Sequence, residues 1–157
     1  LYARAEIYAE ELEKRLKDLN AAEAALLQAQ ADCRISEDRF LKVFRSNPVP
    51  FSITTSKEGK FVEVNAAFER CYGYSREELL GRTVNEIRIW EDPADRVNML
   101  AQLQRGGPIR NMVTRLRTKS GEVKPTTYSA DRIQFDGEQC ILVASEDVLQ
   151  YDLRKAN

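Results

Sequence analysis

The sequence predicts an α+β domain, a five-stranded antiparallel sheet with helices crossing one face, preceded by a long N-terminal coiled-coil helix. Three observations predict it. Residues 2 to 46 contain neither Gly nor Pro and are rich in Ala, Leu, Glu, Lys and Gln, all good helix formers. From Phe51 onward the apolar period changes from helical to two. The elements then run two strands, several short helices, three strands, an order that folds as one antiparallel sheet with its helices on one side.

The leading helix comes first in the chain. Its apolar side chains recur at alternating steps of three and four: Ala5, Ala9, Leu12, Leu16, Leu19, then Leu26, Cys33, Phe40 and Phe44. That is a heptad seam, with Glu23, Gln30 and Glu37 interrupting one of its two rows. Polar groups in a seam weaken a coiled coil and can fix its register. At ~1.5 Å per residue the helix reaches roughly 60 Å, far beyond the width of the small domain behind it. A parallel homodimer through this seam is therefore expected. The competing reading is a single amphipathic helix lying on its own domain. Ser36, followed by Glu37 and Asp38, could N-cap a fresh helix, so a break there stays open. Pro48 and Pro50 end the helix in either case.

The domain starts at Phe51. Phe51, Ile53 and Thr55 share one face of a strand, Lys57-Glu58-Gly59 supplies a turn, and Phe61 to Val64 is the return strand. Asn65 N-caps a helix that carries Ala67, Phe68 and Cys71 toward the core, and Gly73 stops it. Ser75-Arg76-Glu77-Glu78 is a capping box, closed by Gly81. Asp92-Pro93 opens a third helix, Asp as N-cap and Pro at N1, with Val97, Leu100 and Leu103 on one side. Then come strands over Ile109–Thr118, Val123–Asp131 and Cys140–Ser145, the last two joined by the hairpin signal Asp136-Gly137. The final strand is apolar on both faces, which marks a central position. Tyr151 to Ala156 reads as the start of an exit helix.

Composition limits the function. The 157 residues hold one compact domain plus an appendage, with 43% hydrophobic and 31% charged residues. A net charge of −1 removes the basic field that nucleic-acid binding needs. No apolar run approaches the ~20 residues that span a bilayer, so direct membrane insertion is not expected. The chain begins at Leu1 without Met or a signal-peptide pattern, as a piece excised from a longer protein would. Cys33, Cys71 and Cys140 are odd in number and lack metal-type spacing, which points to free thiols in a reducing cytoplasm. There is no histidine. That excludes a His-ligated haem, a His-built zinc site, a His-dependent nucleophile and a phospho-accepting His within this segment. No nucleophile–base pair, metal cluster or phosphate loop is recognisable, so no catalytic residue is assigned.

Five stretches, in order and at the right spacing, resemble the PAS (sensory box) family. They are SEDRFLKVFRSNPVPFSI, VNAAFERCYGYSREELLGR, IWEDPADR, KSGEVK and the closing SEDV. The similarity runs from about Ser36 to Val148. It implies the strand order 2-1-5-4-3, which places the first and last strands in the middle. LYARAEIYAEELEKRL looks like the exit helix of a GAF domain, a common neighbour of PAS domains in bacterial sensor histidine kinases and diguanylate cyclases. Asp147-Val148-Leu149 is similar to the Asp-Ile/Val-Thr junction at which PAS domains hand over to an output helix, with Leu149 departing from the usual Thr. The implied organisation is a signalling helix at 1–46, a PAS domain at 47–148 and a connector from 149 to 157, with a sensor domain upstream and an output domain downstream.

PAS domains commonly hold a ligand between sheet and helices. The residues expected to point into such a pocket here are Ile53, Phe68, Trp90, Val97, Met112, Thr114, Tyr128, Ile141, Val143 and Ser145. Plain core packing is the better account of Ile53, Phe68, Ile141 and Val143. Trp90, Tyr128 and Ser145 each carry a polar group that needs a partner when buried. A light-sensing flavin domain of the LOV type needs an adduct-forming Cys in the segment after Gly81-Arg82, and Val84 stands there. A non-covalent flavin stacked on Trp90 stays open, and the ligand is otherwise unassigned. Cys71 lacks an activating neighbour and reads as a small core residue. The expectation is a non-enzymatic sensory module that relays conformational change through helical linkers. A ligand-free dimerisation or docking module is the alternative.

Overall fold

The structure, a computed structural model, describes residues 2–148. Leu149 and the expected exit helix over Tyr151–Ala156 lie outside the described residues. The chain divides between Lys42 and Val43 into two compact units. The first is the bulk of one long helix, α1 (Tyr2–Ser46), which runs through Ser36 without a break. Its seam is exposed: Leu12, Leu16, Leu19 and Leu26 are each about three-fifths accessible, and Cys33 is exposed as well. On this surface Arg15 pairs with Glu11 at 2.9 Å, one helical turn away.

The second unit holds β1 (Phe51–Thr55), β2 (Phe61–Val64), α2 (Ala66–Tyr72), α3 (Arg76–Leu79), α4 (Pro93–Gln104), β3 (Ile109–Arg117), β4 (Val123–Phe135) and β5 (Glu138–Asp147). The five strands form one antiparallel sheet in the order β2-β1-β5-β4-β3. The signals read from sequence act as expected. Asn65 caps α2 and Gly73 ends it in the left-handed region at φ 81°. The capping box at Ser75 and Glu78 is formed in both directions. Asp92 caps α4, accepting from the Ala94 N–H at 3.0 Å. Asp136 and Gly137 both take positive φ, 50° and 74°, the geometry of a two-residue hairpin turn whose twist matches its strands. The flanking strands run longer than their apolar pattern, to Phe135 and from Glu138, because the tight turn lets pairing continue to its edge.

The sheet is covered on both faces near β1 and β5. Phe61, Phe68, Tyr72, Leu79, Met99, Leu116 and Ile141 pack on the side of α2–α4. Phe44, Ile53 and Cys140 form a second cluster on the opposite side. Phe44 therefore leaves the heptad seam to which its spacing assigned it. It is 2% exposed and stacks on Phe51 with ring centroids 5.8 Å apart. Burying such a ring contributes about 1.5–3 kcal/mol, so the last turn of α1 belongs to the domain.

Candidate functional site

Strand register decides which side chains meet under the helices. In the β1–β5 pair, Ser52 faces Val143 and Thr54 faces Ile141, while Ile53 faces Leu142 and Thr55 faces Cys140. Residues directly opposite in a ladder point to the same face. The helix-covered face of β1 thus carries the hydroxyls of Ser52 and Thr54. Ile53, expected in the pocket, points the other way into the Phe44 cluster. The error has a physical cause: β1 is covered on both faces, so hydrophobicity could not set its parity.

Helix α4 needs a second correction. Val97 was expected to face inward and is 62% exposed. The buried stripe is Arg96, Met99 and Leu103, which shares Leu103 with the expected one but replaces Val97 and Leu100 by the residues next to them, Arg96 and Met99. A stripe led by arginine does not register as apolar, so the pattern of hydrophobic residues points to the neighbouring phase.

The remaining candidates fall into three places. Phe68, Trp90 and Val143 line an inner cavity of about 30 Å³, together with Ser52, Thr54, Arg96 and Met99. Met112, Thr114 and Tyr128 line an outer groove of about 230 Å³ between α4 and β3. Thr114 donates to Asp95 Oδ2 at 2.8 Å, tying β3 to α4. Ile141 is core. Ser145 bonds the Tyr72 hydroxyl at 2.8 Å, and burial raises the Tyr72 phenol pKa. Trp90 and Tyr128 meet edge to face, 5.4 Å between centroids. Burial, with Asp95 nearby, pushes the Tyr128 phenol up. A flavin does not fit this packing. Ligand sites of that size occupy ~300–1,000 Å³, and Tyr128 already fills space against Trp90. Burial also raises the Cys71 thiol, which disfavours a reactive thiolate. Among the described residues, no group of three His, Cys, Asp or Glu could hold a metal.

Sequence reading recognised Asn65 only as a cap. It is fully buried and bonds in five directions. Its Oδ1 accepts from the N–H of Phe68 at 3.0 Å and of Phe51 at 2.9 Å. Its Nδ2 donates to the carbonyls of Val49 at 2.8 Å, Phe44 at 3.0 Å and Asn47 at 3.3 Å. One side chain thus joins the end of α1, the start of β1 and the start of α2. Beside it, buried Glu63 accepts a bidentate pair from Arg76 at 2.6 and 3.0 Å and lies 3.8 Å from Arg45 of α1. No local pattern announces such a junction, because the Asn65 partners that precede it in the chain are 14 to 21 residues away.

A five-stranded antiparallel sheet in this order, with helices over one face, is the architecture of PAS domains. The chain belongs to the PAS family: the PAS fold matches residues 38–148. No curated protein matches the chain. Among solved structures it is similar to the PAS domain of a protein from Colwellia psychrerythraea, 20% identical, covering 74% of this chain and 98% of that one with a TM-score of 0.60. It is also similar to a domain of a sensory box sensor histidine kinase/response regulator from Geobacter sulfurreducens, 23% identical, covering 73% and 96%, TM-score 0.58. A PAS domain from a two-component sensor histidine kinase is 18% identical over 74% and 98%, TM-score 0.58. At these identities the shared property is the fold. Among the described residues no helix is long and apolar enough to cross a membrane.

Proposed function

We propose that the chain is a sensory and relay module of a multidomain signalling protein in the cytoplasm. In this reading residues 1–46 are a signalling helix that forms a parallel homodimer, and residues 47–148 are the sensory domain. A sensor domain lies upstream, and an output domain of the two-component or cyclic-dinucleotide type lies beyond Asp147. The module performs no chemistry of its own.

One observation carries the reading. Strand β1 presents Ser52 and Thr54 to the inner cavity and Phe51 and Ile53 to the last turn of α1. A shift of this strand on one face is felt on the other, through the Phe44 ring and the Asn65 carbonyl bonds. A ligand that prefers one of two packings of helices against sheet would then bias α1, as population shift requires. Multi-angle light scattering on the intact chain tests the relay. A dimer that Leu16→Glu dissociates is expected, and a clean monomer at high concentration removes the relay.

The small size of the inner cavity favours a second reading, a ligand-free dimerisation or docking module. Native mass spectrometry separates the two. A co-purified small molecule supports sensing, and bare protein whose fold responds to no ligand supports the structural role.

A further inference from the structure

Arg96 sits where the packing of α4 calls for an aliphatic side chain. It heads the stripe continued by Met99 and Leu103 and is 8% exposed. Its Nη2 is enclosed and has no hydrogen-bond partner. The adjacent carboxylate is committed elsewhere: Asp95 accepts from Thr114. Burial alone, with no opposing charge, lowers the pKa of the guanidinium, which stays protonated nonetheless. A buried cation without a partner is strongly unfavourable. Such a group persists where something completes it.

The surroundings specify what that is. Arg96 lines the inner cavity, whose hydroxyl side chains are Ser52 and Thr54. Gly59, in the β1–β2 turn, lies against it so closely that a Cβ there would come within 2.7 Å of Nη2. The cavity of about 30 Å³ is two to three times the ~10–15 Å³ that one water needs. We propose that Arg96 is the recognition group for a small planar oxyanion, a carboxylate or inorganic anion of formate, acetate or nitrate size, held between the guanidinium and the Ser52 and Thr54 hydroxyls. The planar fork of arginine suits such anions, and the anion supplies the missing counter-charge. This rests on the sensory reading and names the ligand class of that module. It also places the ligand directly on β1, the strand that touches α1 from its other face.

The test is thermal unfolding and calorimetric titration of the intact chain with sodium formate, acetate or nitrate. Ionic strength is held with sodium gluconate, whose carboxylate rides on a body too large for the cavity. A saturable rise in Tm is expected for the small anions and none for gluconate. Arg96→Met should unfold at higher temperature than the parent in plain buffer and bind at least about tenfold more weakly. Arg96→Lys, which keeps the charge without the fork, should retain a reduced response. Preference for formate and acetate assigns the anion to organic acids, and preference for nitrate assigns it to inorganic oxyanions; either supports the site. No saturable shift in the parent chain, or an undiminished one in Arg96→Met, overturns it. The light-scattering measurement stays independent. A dimer indifferent to anions loses only this site, and an anion-binding monomer loses only the relay.

Discussion

The two units treat their apolar residues in opposite ways. Residues 2–42 carry leucines at regular spacing and leave them in solvent. Residues 43–148 carry a less regular pattern and bury Ile53, Leu79, Cys140 and Ile141 almost completely. A long helix gains most of its stability from packing a face, and the proposed dimer would supply that face for the first unit. The domain is complete by itself. The contrast shows that periodicity identifies a face, whereas its partner decides what that face does. Phe44 makes the point, since it has seam spacing and domain burial.

Mutations can break this contrast at either end. The largest effect is expected for Leu16→Glu, which would withdraw two leucines from the proposed dimer at about 1.5–3 kcal/mol each. Sedimentation should show monomer, while the urea midpoint of the domain stays where it was under the same monomeric conditions. Next comes Asn65→Asp, which keeps an acceptor for the Phe68 N–H and turns a carboxylate toward the Phe44, Asn47 and Val49 carbonyls. A loss of about 3 kcal/mol is expected in urea unfolding; an unchanged midpoint would mean that the junction does not hold α1. Met99→Ala, in the buried stripe of α4, should cost about 2–3 kcal/mol. Val97→Ala on the exposed side should change stability by less than about 0.5 kcal/mol. If the last two were reversed, the assigned phase of α4 would be wrong.

Much of the fold was legible because its signals are local. Caps at Asn65, Ser75 and Asp92 and the turn at Asp136-Gly137 each depend on residues within a few positions. The doubly apolar Cys140–Ser145 segment placed β5 at the centre, and the pairing agrees. The site was less legible. Phe68, Trp90 and Val143 do line the inner cavity, but Ile53 and Val97 were assigned to the wrong faces. Ser52, Thr54 and Arg96 give no signal of burial in the sequence, because polar residues do not announce it. A helix read with its arginine counted as a stem of methylenes, which can pack like an aliphatic side chain, would have shown the 96-99-103 stripe.

By itself the sequence determined the order of the elements, most of their caps and turns, and that residues 2–46 form a helix with an apolar seam. These follow from backbone preferences and short-range hydrogen bonds that need no distant partner. Tertiary structure alone decided which face of β1 meets the helices, which phase of α4 is buried, and that Asn65 joins three elements. Those outcomes depend on strand register and on groups far apart in the chain. Only the assembled fold brings the Arg96 guanidinium to a cavity beside Ser52 and Thr54.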